Sequence, residues 1–332
     1  MFLAAAAAGN LSEAVDRLCR GELVALPTET VYGLGADATN PRAVAGIFAA
    51  KGRPADHPLI VHLAPEASLD DWAIDIPEAA RALAKAFWPG PLTMILKKSP
   101  RVPAIVTGGQ DSVGLRCPSH PVAQQLLREF SKVGSGAVAA PSANKFGHVS
   151  PTTAQHVRDE FGPDLPVLDG GACEVGLEST IVDLTRGVPV LLRPGRISRE
   201  DIAAVLGVAP RDRDVEAPRA SGTLAAHYAP RTPLALVEPA QVEARVRAAA
   251  AEGKRVAVLA LGRAPTPLAA FGRAAPADAR GYGHDLYASL RALDANHADL
   301  IVVEAPPADA AWEAVRDRLA RAAAGTDEDD ET

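Results

Sequence analysis

Residues 22–35 read Glu-Leu-Val-Ala-Leu-Pro-Thr-Glu-Thr-Val-Tyr-Gly-Leu-Gly, an apolar run that leads directly into a segment rich in hydroxyl groups. The first part, residues 22–27, predicts a short buried strand, and residues 28–35 predict a polar loop at its end. Loops at strand ends are where ligands usually bind in α/β folds. A turn whose threonines bond their own backbone is the alternative, and both interpretations stay open for this stretch alone.

The glycines of this loop match part of a dinucleotide-binding pattern, Gly33-x-Gly35-x-x-Ala38. That pattern requires a strand immediately before it and a ribose-binding acid about 20 residues further on. Pro27 and a polar segment intervene here, and residues 50–56 form a basic loop. A nicotinamide cofactor is therefore not expected.

Strand and helix patterns alternate outward from this stretch to about residue 208. Helices are predicted over residues 11–20, 78–88 and 122–132, from Asn40-Pro41, and from Ser198, where residues 198–201 resemble a capping box. Further strands are predicted over residues 58–63, 92–96, 113–117, 137–140, 181–184 and 190–193. The mixture predicts a layered α/β domain, and the order of its strands is not legible.

The sequence changes character after residue 208. Residues 209–232 have little apolar periodicity and predict a linker, which contains the pair His227-Tyr228. Strands at 234–237, 255–261 and 300–303, with helices at 241–251, 286–295 and 311–324, predict a small parallel α/β domain. We expect four parts: an α/β domain over 1–208, the linker over 209–232, a second domain over 233–325 and an acidic tail over 326–332.

The composition excludes several classes of protein. The net charge of −7 argues against wholesale neutralisation of nucleic-acid phosphates, so strong direct nucleic-acid binding is not expected. Cys19, Cys117 and Cys173 lie far apart, which predicts reduced thiols without a disulfide or zinc site. No basic leader and no apolar run of about 18 residues is present, so we expect a cytoplasmic protein with no membrane association.

Four cations lie at predicted ends of strands or helices: Lys51, Arg53, Arg116 and Arg193. Lys51 and Arg53 flank a glycine and can converge on one anion, phosphate foremost, although both could instead complement a helix C-terminus. Arg116 in an apolar strand predicts a specific anionic partner, which a structural ion pair would also supply. The four together predict a site for a compact polyanion such as a nucleoside triphosphate.

Residues 140–147, Ala-Pro-Ser-Ala-Asn-Lys-Phe-Gly, follow a strand of small residues. Ser142 and Asn144 suit hydrogen bonds to ribose or phosphate oxygens. Ser142 and Lys145 also match the Ser-x-x-Lys of penicillin-binding enzymes, but the partner motifs of those enzymes are missing from this sequence. The P-loop pattern is missing too, so a phosphate site here is of another type.

The same segments resemble the YrdC-like family, and within it the two-domain threonylcarbamoyl-AMP synthases. The matching segments are residues 27–35, 51–53, 58–62, 116–118, 140–147, 176–183 and 192–195. The resemblance implies a YrdC-like twisted mixed sheet with flanking helices, followed by a small Rossmann-like α/β domain. It implies a nucleotidyltransferase that converts L-threonine, bicarbonate and ATP, with Mg²⁺, into threonylcarbamoyl-AMP, pyrophosphate and water. A separate tRNA threonylcarbamoyl transferase would receive the product through transient contact.

The resemblance also assigns site residues by position. Threonine would be bound by Thr30, His62, Arg116, Ala140 and Ser179. ATP would be bound by Arg53, His57, Ser112, Ser142, Asn144, Ser150 and Arg193, with His227 and Tyr228 closing over the nucleotide. Lys51 and Arg53 would be catalytic, and no residue is assigned to a metal. His57 stands where the family often has Asn, and Ser112 where it often has Thr.

Two alternative functions stay open. One is a YrdC-like enzyme that forms a carbamoyl adenylate from carbamoyl phosphate, although such modules usually belong to larger transferases. The other is a non-catalytic RNA-binding regulator, which the acidic net charge disfavours.

Overall fold

The computed structural model describes residues 2–327, with side chains described for residues 10–325. Contacts divide the chain into two units. The first holds residues up to Lys145, Pro151–Glu174 and Glu178–Thr223, and the second holds Phe146–Ser150, Val175–Leu177 and the chain from Leu224. The boundaries at 208, 232 and 325 remain predictions, and the predicted tail beyond residue 327 lies outside the described residues.

Nine strands form the sheet of the first unit. They are β1 (Val24–Leu26), β2 (Gly33–Asp37), β3 (Ile60–Leu63), β4 (Leu92–Lys97), β5 (Ser112–Arg116), β6 (Ala137–Ala139), β7 (Thr180–Asp183), β8 (Val190–Arg193) and β9 (Arg211–Asp212). Their order across the sheet is β1-β2-β6-β3-β5-β4-β7-β8-β9. The pairs β3–β5, β4–β7 and β8–β9 are parallel and the others antiparallel, which confirms the predicted mixed sheet.

Six helices flank this sheet. They are α1 (Phe2–Cys19), α2 (Pro41–Lys51), α3 (Glu78–Phe87), α4 (Pro121–Val133), α5 (Ala154–Phe161) and α6 (Arg199–Leu206). Asn40 caps α2 by accepting from the Arg42 and Ala43 N–H groups, and Ser198 and Asp201 form the capping box of α6. Both helix starts are as predicted, because a cap depends on side-chain chemistry within one turn.

The apolar core lies on both faces of the sheet. Strand residues such as Val61 and Leu115 pack with α2, α3, α5 and α6 in the largest cluster. A second cluster joins Leu26 and Val138 to α1 and α4. Ala220, in the predicted linker, covers a third group of strand residues, Ile60, Ile95, Ile181, Val190 and Leu192. The sheet is therefore covered by helices over most of its area and by irregular chain over β4, β7 and β8.

Residues 33–37 form strand β2, so the predicted loop over 28–35 is wrong in its second half. Glycine has a low strand propensity, which made this segment resemble a loop. Glycine is required there because a Cβ on Gly35 would lie 2.7 Å from Val138 Cγ1 and 2.8 Å from Leu26 Cδ2. The close approach of neighbouring strands therefore explains the sequence.

Gly35→Ala is expected to destabilise the protein by about 1–3 kcal/mol, because the added methyl group overpacks the contact with Val138 and Leu26. Gly46→Ala in α2 is the matched control, since its Cβ would meet Leu23 only at 3.6 Å or beyond. A mid-helix Gly→Ala change of this kind should stabilise by about 0.5–1 kcal/mol. Urea denaturation of both variants measures the two effects, and equal shifts of the same sign would contradict the packing account.

The second unit contains a four-stranded sheet. Its strands are β10 (Leu234–Val237), β11 (Val256–Leu261), β12 (Phe271–Ala275) and β13 (Leu300–Glu304), in the order β10-β13-β11-β12. All three pairings are parallel, which confirms the predicted Rossmann-like domain. Its helices are α7 (Val242–Ala251), α8 (Ala279–Asp294) and α9 (Glu313–Asp327). Among the described residues, none of the helices has both the length and the apolar character needed to cross a membrane.

Helix α8 starts at Ala279, earlier than the predicted start at residue 286. Gly281 and Gly283 lie in its first two turns and weaken the helical pattern. Asp278 compensates by capping the helix through the Gly281 N–H group.

Candidate active site

The strand registers place a set of polar side chains on one face of the nine-stranded sheet. His62 of β3 lies opposite Arg116 of β5. Thr93 of β4 lies opposite Ile181 of β7, which in turn lies opposite Arg193 of β8. β4 pairs with β5 and so connects the two groups. Because side chains alternate between the two faces along each strand, all of these side chains lie on the same face. We call the surface that carries His62, Arg116, Thr93 and Arg193 the site face.

The predicted substrate residues occupy two ends of the site face. His62 and Arg116 lie at the carboxyl ends of β3 and β5, next to the start of β7, where Ser179 precedes Thr180. Ser112 begins β5 at the other end, and His57 precedes β3 there. Four residues of strand span about 13 Å. The structure therefore places three of the predicted threonine residues, His62, Arg116 and Ser179, at one end and two of the predicted ATP residues at the other.

Thr30 lies in the buried loop between β1 and β2. Its hydroxyl is 2.8 Å from that of Thr28, which donates to the Val31 carbonyl at 2.6 Å. The turn-type bonding that the sequence left open is thus present in this loop. Thr30 is fully buried, so its hydroxyl lies inside the protein beside the loop and not in solvent.

Arg116 forms an ion pair with Glu29, a residue that the sequence analysis did not select. Arg116 Nη2 lies 2.7 Å from Glu29 Oε1, and both side chains are only 5% exposed. Glu29 Oε2 also accepts from the Ser119 N–H group at 3.1 Å. The structural ion pair foreseen as an alternative for Arg116 therefore exists. A buried guanidinium held from one side presents a fixed geometry to anything on its other side.

His62 is buried beside Arg116. Its Nδ1 has no hydrogen-bond partner in the part of the chain that the structure describes. Burial, followed by the nearby Arg116 charge, lowers the pKa of His62 to about 3. The imidazole is therefore neutral at physiological pH, and its Nδ1 can serve a polar ligand at low desolvation cost.

The buried His62 should make stability depend on pH. Its pKa is about 3 when folded and 6.5 when exposed, so the unfolded chain binds a proton first as the pH falls. The His62 contribution is complete above pH 6.5 and declines below it, by about 2 kcal/mol at pH 5. Urea denaturation at pH 7.5 and 5 should show this loss in the parent protein and a smaller loss in His62→Asn. The exposed His297→Asn change is the control, and equal pH dependence in the parent and His62→Asn would contradict the assignment.

Lys51 joins helix α2 to the segment after β6. Gly52 caps the helix in the left-handed region, at φ 66°. Lys51 Nζ donates to the Ser142 carbonyl at 2.6 Å and to the Asn144 carbonyl. Burial, followed by the Arg53 charge, lowers the Lys51 pKa well below its usual value. Lys51 thereby links α2 to two of the predicted ATP residues, Ser142 and Asn144.

Arg53 and His57 border the loop that precedes β3. Arg53 is buried and its Nη2 donates to the Pro58 carbonyl at 3.0 Å. Burial, and then the Arg53 charge, lower the pKa of the half-buried His57. Because the imidazole is held toward its neutral form beside this cation, His57 can still offer hydrogen bonds as the family's Asn would.

Arg193, which is predicted to bind ATP, contacts Ser179, which is predicted to bind threonine. Arg193 Nε and Nη2 donate to the Ser179 carbonyl at 3.1 and 3.0 Å, and Nη2 also reaches Ser179 Oγ at 3.2 Å. Arg193 Nη1 donates to the Ser221 carbonyl at 2.8 Å, which ties the predicted linker to the sheet. Thr93 Oγ1 lies 2.8 Å from Ser179 Oγ, a second contact that the sequence did not signal.

Ser150, His227 and Tyr228 belong to the second unit. The rings of His227 and Tyr228 meet edge to face, with centroids 4.3 Å apart. Tyr228 is buried at φ 63°, with the Arg318 guanidinium 5.3 Å from its ring. The Ser150 carbonyl accepts from Arg291 Nε at 3.4 Å. Their predicted role as a closure over the nucleotide stays a prediction.

Over residues 10–325, no group of three or more His, Cys, Asp or Glu side chains is placed to hold a metal ion. The buried polar groups of the site face are instead cations, hydroxyls and one neutral imidazole, and the Glu29 carboxylate is paired with Arg116. These features define a two-unit α/β protein whose first unit presents anion-binding groups on a mixed sheet.

The chain belongs to the Sua5/YciO/YrdC family. The model of that family, described as telomere recombination, matches residues 16–195. A second model, described as the C-terminal domain of threonylcarbamoyl-AMP synthase, matches residues 197–324. The family resemblance found in the sequence is thereby confirmed.

Relatives match over nearly the whole chain. A threonylcarbamoyl-AMP synthase of Pyrococcus abyssi is 41% identical over 91% of this chain and 90% of its own. One of Bacillus subtilis is 41% identical over 95% of this chain and 93% of its own. The crystal structure of P. abyssi Sua5 complexed with L-threonine superposes with a TM-score of 0.86, at 38% identity, over 95% of this chain and 94% of that one. A variant of that protein, with alanine in place of a histidine and the tyrosine after it, gives a TM-score of 0.85 over 95% of this chain and 93% of that one, at 37% identity.

Proposed function

We propose that this chain is a threonylcarbamoyl-AMP synthase, a nucleotidyltransferase that uses L-threonine, bicarbonate and ATP. The observation that carries the proposal is its likeness, over 95% of the chain, to a protein whose structure was solved with L-threonine. The site face supplies groups that suit such substrates. Its product would feed threonylcarbamoyladenosine formation in tRNA through a separate transferase, in the cytoplasm.

Threonine binds at the end of the site face that holds His62, Arg116 and Ser179. The guanidinium of Arg116, fixed by Glu29, pairs with the threonine carboxylate. The neutral His62 imidazole and the hydroxyls of Thr30 and Ser179 serve the polar groups of threonine, and Ala140 forms a small apolar wall.

ATP binds along the rest of the same face and needs no covalent nucleophile from the protein. Bicarbonate carboxylates the threonine amine with loss of water, and a carbamate oxygen then attacks the α-phosphorus. The bond from that phosphorus to the bridging oxygen breaks, and pyrophosphate leaves. Catalysis of this kind rests on positioning and on neutralising charge. Lys51 and Arg53 supply that neutralisation, and Mg²⁺ bound to ATP would add positive charge at the phosphates.

The remaining nucleotide contacts come from several segments. Ser142 and Asn144, braced by Lys51, offer hydrogen bonds to phosphate or ribose, as do His57, Ser112, Ser150 and Arg193. His227-Tyr228 is the only His-Tyr pair in the sequence. The solved variant of the P. abyssi protein replaces such a pair by alanine, and we assign this pair to closure over the nucleotide.

The test combines the purified chain with Mg-ATP, ¹³C-bicarbonate and L-threonine. Mass spectrometry should find threonylcarbamoyl-AMP that carries the label and requires all three substrates, with one pyrophosphate per adenylate. A preference for carbamoyl phosphate over threonine plus bicarbonate would instead indicate the carbamoyl-adenylate enzyme. Salt-sensitive RNA binding without adenylate formation would indicate the RNA-binding regulator, and either result would overturn the proposal.

A further inference from the structure

The second unit contains a crevice outside the carboxyl ends of its parallel strands. The cavity has a volume of about 880 Å³. The ends of β10 and β11, the segment after β13, and residues of α7 and α9 line it. All of its lining residues belong to the second unit, and none takes part in the reaction proposed above.

The crevice lies where the chain leaves two adjacent strands in different directions. Strands β10 and β13 are neighbours in the sheet. After β10 the chain continues into α7, which packs against β13 and β11. After β13 it continues into α9, which packs against β10 and α8. Right-handed crossovers place α7 and α8 on opposite faces of the sheet. Ligands of open α/β sheets bind where adjacent connections part in this way.

Side chains from both faces reach the crevice, which supports this placement. Leu236 and Val237 are consecutive in β10 and so point to opposite faces, yet both line the cavity. Ala244 and Arg245 of α7 line one side, and Arg316 of α9 lines another. The cavity therefore spans the edge of the sheet between the two helices.

The charges of the crevice favour an anion. Arg245 and Arg316 line it, with Glu238 as the single acidic lining residue. Arg245 lies on α7 and is half-buried. Arg316 Nη1 donates to the Ala308 carbonyl at 3.2 Å, which fixes its side chain at the rim. Two guanidinium groups match one phosphate monoester, whose charge is about −1.5 to −2 at pH 7.

Apart from Gln241, the rest of the lining is apolar. Leu236, Val237, Leu261, Pro239, Pro306 and Pro307 contribute it. The volume falls within the range of about 300–1,000 Å³ that small-molecule sites occupy. A ligand with one phosphate and a planar, weakly polar body satisfies both parts of the lining.

We propose that this crevice is a second ligand site, which binds a nucleoside monophosphate with its phosphate at Arg245 and Arg316 and its base against the wall formed by Leu236, Val237 and Leu261. The site is independent of the proposed catalytic function, because it shares no residue with the site face. Glu238 weakens binding by placing one negative charge beside the phosphate.

The test is photolabelling of the full chain with 8-azidoadenosine 5′-monophosphate, followed by peptide mapping. Label is expected in the peptides that contain residues 236–245 and 305–316, displaced by unlabelled AMP but not by the same concentration of adenosine. Arg245→Ala and Arg316→Ala should each weaken labelling affinity there about tenfold or more, as expected for a lost charged hydrogen bond. Glu238→Gln should tighten it severalfold.

Matched controls separate this site from the catalytic one. Arg247→Ala, on α7 but 70% exposed and paired with Glu243, should leave labelling unchanged. Arg316→Lys keeps the positive charge but loses the bidentate hydrogen-bonding geometry of the guanidinium. It should therefore give an intermediate loss of labelling affinity, and it remains informative even if the alanine variant folds poorly. Label confined to first-unit peptides, label unaffected by both arginine changes, or equal displacement by adenosine would each overturn the proposal. Because the readout is the position of the label, failure of the adenylation assay leaves this test unaffected.

Discussion

Arg53→Ala is expected to lower the rate of threonylcarbamoyl-AMP formation by about 10²–10³-fold, the usual cost of losing one donor that stabilises developing charge. Arg53 follows the cap of α2 and is buried, at 7% exposure, beside the loop before β3. Arg53 lies two residues after Lys51, whose pKa is lowered first by burial and then by the Arg53 charge. The loss should fall mainly on kcat, because the charge on the phosphates grows in the transition state.

Stability should change much less than activity in this variant. The hydrogen bond from the Arg53 guanidinium to the Pro58 carbonyl is worth about 1.5–3 kcal/mol, which is less than the stability of a typical domain, so we expect the fold to persist. Arg42→Ala, on the exposed side of the same helix, is the control and should leave the rate unchanged. Arg53→Lys retains the positive charge but not the bidentate geometry of the guanidinium, so it should recover part of the rate. Near-normal turnover in a folded Arg53→Ala protein would remove Arg53 from the mechanism.

The sequence predicted those elements whose signals are local. Asn40 and Ser198 were legible as caps because each bonds to the backbone within three residues. Strand β2 was not legible, because Gly35 is explained by Val138, about a hundred residues away. Strand β12 was missed because its Phe-Gly-Arg-Ala-Ala sequence lacks alternation and its place depends on pairing with β11. Helix α5 was missed because it buries only Ala154 and Val157.

The candidate site shows the same limit. The cations Lys51, Arg53, Arg116 and Arg193 stood out because charge at the ends of apolar strands is rare, and all four are buried. Their partners did not stand out. Glu29 lies 87 residues from Arg116, and Thr93 lies 86 residues from Ser179. Such contacts are set by strand order, which periodicity does not encode.

Glu29→Gln is expected to destabilise the first unit by about 3–5 kcal/mol, because it leaves the Arg116 guanidinium buried without a counter-charge. Glutamine keeps an acceptor for the Ser119 N–H group, so the effect reports mainly on the lost charge. Urea denaturation measures the change in the free energy of unfolding. The exposed pair Arg128–Glu66, with side chains 43% and 64% exposed, is the control, and Glu66→Gln should cost less than about 1 kcal/mol.

The double variant Glu29→Gln with Arg116→Met separates stability from function. Removing both charges should restore much of the lost stability, since a buried pair replaced by neutral groups is often nearly neutral. Threonine use should not recover, because the group that we propose to pair with the substrate carboxylate is gone. We expect KM for threonine to rise about 10- to 100-fold, as for a lost charged hydrogen bond of about 1.5–3 kcal/mol, with KM for ATP little changed. A double variant with normal KM for threonine would remove Arg116 from substrate binding. A double variant as unstable as Glu29→Gln alone would show that the unpaired Arg116 charge is not the source of the lost stability.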